Sequence, residues 1–195
     1  MATITIEPAT TPRFDDVEHV FDAGGDARGC QCQWWMMPNT EWSKTSQEER
    51  RDMLADEIAA APPPGLVAYV DGEAAGWVRV GPRTRQVRLG RTLIIRSSTE
   101  EPLDDESVWT VSCFVVRKNH RGQGLNALLL EAAVTFAREH GARMIEAYPI
   151  DANAGKKHPV NDLFHGVIST FENAGFREVA RLKPDRPIVA LDLQS

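Results

Sequence analysis

Ile4 and Ile6 alternate with polar neighbours over Ala2–Glu7, the period of a half-buried strand. From Arg13 to Ala23 the period changes. Phe14, Val17, Val20 and Phe21 recur at helical spacing, and Gly24-Gly25 supplies a stop. Arg28–Thr40 follows no period and is dense in Cys, Trp and Met. Ser46 with Glu49 three residues on is a capping-box pattern and opens a helix to about Ala60, ended by Pro62-Pro63-Pro64. Leu66–Asp71 and Ala74–Val80 flank Asp71-Gly72, a hairpin signal. Val108–Val116 is an almost unbroken β-prone run, which predicts a strand buried on both faces. Leu125, Leu128, Leu129, Ala132, Ala133 and Phe136 fall on one helical face before Gly141. Ala142–Ile150 predicts a strand, Val160–Ala174 a helix, and Phe176–Leu182 and Ile188–Leu193 two short strands. The order is strand, two helices, three strands, helix, strand, helix, two strands, which is a mixed α/β (α+β) arrangement.

The length, 195 residues, suits one domain over 1–195, and 42% hydrophobic with 26% charged residues suits a packed core. No apolar run approaches the ~20 residues that span a bilayer, so no membrane partner is expected. The start lacks the basic and apolar segments of a secretory signal, which predicts a cytoplasmic protein. With 22 basic and 28 acidic residues the net charge is −6, which disfavours nonspecific nucleic-acid binding. Three cysteines are too few for a disulfide framework. Cys30 and Cys32 form C-x-C, but no second metal-ligand pair accompanies them, so reduced thiols and no metal are expected.

The chemistry concentrates at Val116–Asn126, between the buried strand and the amphipathic helix. Gly122 and Gly124 free the backbone where a helix begins. The first helical N–H groups lack intrahelical partners and carry the positive end of the dipole, so this is an anion site. Arg121 adds charge and a bidentate donor. No Gly-Lys-Ser/Thr follows, which excludes a Walker A loop, and the turn lies too far along the chain for a dinucleotide fingerprint.

Arg121-Gly122-Gln123-Gly124-Leu125-Asn126, preceded by Phe114-Val115-Val116, resembles motif A of the GNAT acetyltransferase superfamily. Phe171 to Gly175-Phe176 resembles the family's Tyr-x-x-x-Gly-Phe. The resemblance implies a central sheet of six to seven strands, splayed between the fourth and fifth and flanked by about four helices. It implies acetyl-CoA as co-substrate and N-acetyl transfer to a primary amine of a small molecule or peptide. The pantetheine arm would lie along the backbone of Phe114, Val115 and Val116. Amides of Gln123, Gly124, Leu125, Asn126 and Ala127, with Gly122 and Arg121, would hold the pyrophosphate, and Asn153 falls where many members carry an Asn. The Val116 amide, or one beside it, would face the thioester oxygen. Asn126 stands in place of the family's last Gly/Ala and keeps its N–H.

The family's usual acid is the Tyr at the position of Phe171, which has no proton to give. The acid is then Tyr148, Ser169, Thr170, Ser112 or water; otherwise the chain is a non-catalytic, regulatory acyl-CoA-binding module. Strand parity puts Glu146 and Tyr148 on one face, with Glu146 as candidate base and Tyr148 as candidate hydroxyl. Their plain readings are an arginine pair and a core aromatic. The same parity groups Ser112 with Phe114 and Val116. His158 reads as part of a solvated loop and His165 as a packing residue, each also a titratable candidate.

On the acceptor side, Trp34 and Trp35 in the Cys30–Met37 segment suit a small-molecule pocket or a loop packed on the sheet. Ser112 is the third candidate lining residue. The long insert between Asn153 and Phe171 covers the acceptor site or makes a homodimer contact. The Arg79–Arg96 run of arginines reads as a solvated face, with an acidic acceptor or the co-substrate's 3′-phosphate as the alternative.

Overall fold

In the computed structural model, which describes residues 2–22, 25–155 and 158–194, a seven-stranded sheet carries helices on both faces. The helix end expected at Ala23-Gly24 and the pair Lys156-Lys157 lie outside these residues. In chain order the elements are β1 (Ile4–Pro8), α1 (Phe14–Phe21), α2 (Asp26–Cys30), α3 (Asn39–Trp42) and α4 (Gln47–Ala59). Then come β2 (Gly65–Val70), β3 (Glu73–Pro82), α5 (Val87–Arg91), α6 (Leu93–Arg96), β4 (Val108–Val116) and α7 (Leu125–Glu139). β5 (Met144–Ala147), α8 (Ile168–Asn173), β6 (Arg177–Lys183) and β7 (Arg186–Asp192) complete it. The strand order is β1-β2-β3-β4-β5-β7-β6, and only β4 and β5 run parallel.

Local signals act as their chemistry requires. The Ser46 hydroxyl accepts from the Glu49 amide (3.1 Å) while the Ser46 amide donates to the Glu49 carboxylate (2.6 Å), closing the capping box of α4. Asp71 and Gly72 both take positive φ (50° and 84°), the pairing that matches a two-residue turn to strand twist. α7 buries Leu125, Leu129, Leu130, Ala133, Phe136 and Ala137 against the sheet. Leu128, expected on that face, is exposed, and Leu130 takes its place.

Two expected elements are shorter. β5 stops at Ala147 rather than Ile150, because Pro149 has no N–H for a ladder. The helix expected over 160–174 is a 3-10 turn (Val160–His165) followed by α8. Gly166 separates them at φ 77°, and a Cβ there would meet the Phe171 ring at 2.9 Å and the Phe114 ring at 3.2 Å. The close approach of two aromatic rings therefore requires glycine and breaks the helix. The expected irregular stretch Arg28–Thr40 holds the end of the short α2 and the start of α3, with Gln31 and Cys32 left-handed just after α2 (φ 50° and 54°). No helix among the described residues is long and apolar enough to cross a membrane.

Candidate active site

The site begins where the sheet opens. β4 pairs with β5 only over Val108–Val111, opposite Met144–Ala147, yet runs on to Val116. Beyond Val111 its other edge stays paired with β3 (Val78↔Phe114, Trp77↔Val115, Gly76↔Val116). Phe114, Val115 and Val116 thus have no strand on the β5 side. A bulge sits at the start of this splay. Arg79 faces Cys113 while its neighbour Val80 faces Val111, so Ser112 is the extra residue. The bulge overturns simple parity. Val111 and Phe114 pack with α7 and α8, whereas Cys113 faces the α1 side, so Ser112 and Phe114 do not share a face as expected.

The opening leads to the glycine turn. Gly122 and Gly124 take positive φ (77° and 76°), and Gly124 caps α7 in the left-handed region. Among the described residues the first amide here to find a backbone carbonyl is that of Ala127, which donates to the Gly124 carbonyl at 3.0 Å. The amides of Gln123, Gly124, Leu125 and Asn126 are left open; Ala127, expected among them, is already engaged. Arg121 is exposed, and its Nε donates to the Val116 carbonyl at 3.1 Å, tying the turn to the end of β4. The Gln123 side chain donates to the Asn119 carbonyl at 3.4 Å. The buried Asn126 Oδ1 has no partner. Asn153 is exposed in the loop after β5, its amide donating to Asp151 (3.0 Å).

Side chains rather than backbone build the other flank. Glu146 is 1% exposed and forms an ion pair with equally buried Arg83 at 2.7 Å. Its other oxygen accepts from Thr99 at 2.8 Å, and the Tyr148 hydroxyl donates to the Arg83-bound oxygen at 3.0 Å. Arg83 also donates to the Glu101 and Pro102 carbonyls. Burial, then the Glu146 charge, pushes the Tyr148 phenol well above its usual range, so it is neutral at pH 7. The Trp35 indole packs beside Tyr148, and its Nε1 donates to the Ser112 carbonyl at 3.2 Å, satisfying the bulge. The Ser112 hydroxyl is buried without a partner. Trp34 is half-buried beneath the Arg88 guanidinium (3.8 Å).

Phe171 is fully buried, edge-on to Phe114 (6.0 Å) and Phe176 (5.3 Å). The 3-10 turn over 160–165 lies against β4, so the described part of the insert covers the sheet beside the opening. His165 stacks on Phe164 (4.0 Å) and meets Trp35 edge-on (5.5 Å); burial, then Arg186, lowers its pKa to about 3. His158 is not solvated as expected. Its buried ring lies between Asp162 (3.6 Å) and Asp185 (3.5 Å).

Cys32 and Cys113 lie in the core on the α1 side of the sheet, while Cys30 is half-buried. Cys32 Sγ accepts from Trp77 Nε1 at 3.3 Å and sits beside Arg79 and Cys113, which hold its pKa near 7 against burial. Cys30 is pushed up to about 11 by burial. Among the described residues no group of three or more His, Cys, Asp or Glu is arranged to hold a metal.

The arginine run is the main correction. Arg79, Arg83 and Arg88 are each at most 7% exposed, so half of the expected solvated face is inside. Arg83, Thr99 and Arg88 were not singled out individually by the sequence. The available signal was the number of arginines beside a β-strand, followed by the acidic stretch Glu100–Glu106.

A sequence model described as the acetyltransferase (GNAT) family matches residues 31–158. No curated protein matches the chain. Solved structures do. An N-acetyltransferase from Staphylococcus aureus Mu50 is 15% identical, with TM-score 0.57 over 98% of this chain and 99% of that one. YncA from Salmonella typhimurium, solved with its cofactor acetyl-CoA, is 16% identical, with TM-score 0.57 over 98% and 95%. The PaiA N-acetyltransferase from Thermoplasma acidophilum, in complex with coenzyme A, is 12% identical, with TM-score 0.55 over 97% and 99%. At these identities the likeness is one of fold.

Proposed function

Because the chain belongs to the GNAT acetyltransferase family, we propose that it is an acetyl-CoA-dependent N-acetyltransferase acting on a primary amine of a small molecule or peptide. The observation that carries this reading is the unpaired edge of β4 beyond Val111, which runs directly into the open amides at the start of α7. A strand edge suits an extended pantetheine arm, and convergent N–H groups suit a pyrophosphate. Phe114, Val115 and Val116 would line the arm. Gln123, Gly124, Leu125 and Asn126, with Arg121, would hold the anion, Gly122 supplying the turn and Asn153 flanking the opening. Acetyl-CoA supplies the activated acetyl thioester.

The chain's own groups then position and donate. A backbone amide at the end of β4 faces the thioester oxygen. Tyr148 keeps its proton at neutral pH and can hand it to the departing sulfur after turning from Glu146. Glu146 takes three donors, from Arg83, Thr99 and Tyr148, so we assign it the positioning of Tyr148 and not removal of the amine proton. The amine then reacts as the free base, with water carrying its proton away.

An amine-library screen with free-thiol detection tests the reading. The expected result is thiol release that depends on both acetyl-CoA and an amine. The second reading, a non-catalytic acyl-CoA-binding module, is favoured by the buried Phe171 in the family's acid position. CoA binding by calorimetry with no thiol release from any amine would select it.

A further inference from the structure

One cavity is not used by the turn, the splay or the Glu146 network. It measures about 480 Å³ and is walled by Trp34, Trp35 and Pro38, with Asn39, Arg88 and Arg91 around it. Arg88 is 7% exposed. Its Nε donates to the Met37 carbonyl (3.0 Å), its Nη1 to Asn39 Oδ1, and its Nη2 reaches no acceptor among the described residues.

The contrast with its neighbours in sequence is chemical. Arg79 has Glu57 and Arg83 has Glu146. Among the described residues neither Arg88 nor Arg91 has a carboxylate within ion-pair distance. Cys30, beside Arg88, is a neutral thiol at pH 7 and supplies no anion. A buried guanidinium without a counter-charge is costly to keep, and its unpartnered Nη2 is a charge-assisted donor for one carboxylate oxygen. The indole and proline walls suit an apolar body next to that carboxylate. Trp35 links the cavity to the candidate chemistry, since the same indole donates to the Ser112 carbonyl and packs on Tyr148.

We infer that this cavity binds the carboxylate of the acceptor at Arg88, so that the acceptor is an amine carrying both a carboxylate and an apolar body, such as an amino acid with an apolar side chain. The word acceptor rests on the acetyl-transfer reading; the carboxylate site does not. Arg91, at the exposed rim, supplies a second, weaker attraction.

The test separates binding from turnover. Trp34 and Trp35 line the cavity, so tryptophan fluorescence of the full chain reports occupancy without any reaction. N-acetyl-L-phenylalanine should quench saturably, and its uncharged amide should bind at least roughly 10-fold more weakly. Arg88→Met should weaken the acid by roughly 10- to 100-fold and leave the amide unchanged. Arg88 also anchors Met37, so Arg91→Met, on the surface, serves as the second variant and should cost a few-fold. Equal binding of acid and amide, or acid binding unchanged in both variants, overturns the inference. In parallel, thiol release is compared for L-phenylalanine and its amide. Carboxylate- and Arg88-dependent quenching without turnover of any amine upholds the site and removes acetyl transfer. Turnover of both amines at equal kcat/KM upholds acetyl transfer and removes the carboxylate site.

Discussion

The two flanks of the opening are made of different material. The turn from Val116 to Asn126 is contiguous, exposed and built from main-chain groups held by two left-handed glycines. The Tyr148 flank draws side chains from Trp35, Arg83, Thr99 and Glu146, far apart in sequence and almost all buried. A backbone site tolerates loss of side chains and fails when a dihedral is spoiled. A buried polar network does the reverse, because each member removed leaves another unsatisfied. The common acetyl donor suits the first kind of construction, and discrimination among acceptors the second.

The largest effect should come from splitting the buried pair. Arg83→Met leaves the Glu146 charge with only Thr99 and Tyr148. Breaking a buried pair costs about 3–5 kcal/mol, which lowers Tm by on the order of 10 °C at this size. Adding Glu146→Gln should return much of that loss in thermal melts. If the single variant melts like the wild type, the Tyr148 flank is not held together by this pair.

Next is Tyr148→Phe, which removes the phenol and keeps the ring. Acid assistance is worth 10²–10⁴-fold, so kcat should fall at least roughly tenfold with CoA affinity unchanged in calorimetry. Glu146→Gln should lower kcat less, and by shifting the pH–rate profile, as a positioning residue would. Equal loss of CoA affinity in either variant would erase the division between the flanks.

The turn is broken by a different kind of change. A Cβ at Gly124 meets nothing within 4 Å, so only φ (76°) resists substitution. A left-handed β-branched residue costs about 1–2 kcal/mol, and Gly124→Val should weaken CoA roughly tenfold without a large change in Tm. Arg121→Ala removes an exposed charge and should cost only a few-fold, fading with added salt. CoA affinity unchanged in both variants would detach the turn from the reading.

The same distinction governs what the sequence disclosed. The capping box at Ser46, the Asp71-Gly72 hairpin and the Gly122–Gly124 turn are short-range devices, and each appears as its residues suggest. The family follows from the same kind of signal. The bulge at Ser112 left no local mark, since any β-prone run can host one, and it moved Phe114 to the other face. Pro149 and Gly166 were visible, yet what they interrupt depends on β5's partner and on two distant rings. The Arg83–Glu146 and Arg88–Trp34 contacts join residues 63 and 54 apart, and net charge argued for surface rather than core. Even the helical face of α7 was one position off, because period alone does not say which flank of an apolar stripe meets the sheet.

A further effect is on pH dependence, and it also belongs to the side-chain flank. His165 is held neutral by burial against Phe164 and Trp35, and by the Arg186 charge, with its pKa down at about 3. An unfolded chain takes that proton near pH 6.5. The folded state is therefore fully favoured above about pH 6.5, and loses ground as pH falls towards 3. Between about pH 6.5 and 5 ordinary carboxylates stay mostly charged, so in this window the difference between wild type and a variant at position 165 reports this imidazole. At pH 5 the deficit is at most ~2 kcal/mol, or several degrees in Tm. His165→Gln, which takes no proton, should flatten the acid limb between pH 7.5 and 5 while the variants of the turn keep it. Parallel acid limbs for wild type and His165→Gln would place the ring in water, and with it the wall that Trp35 shares with the opening.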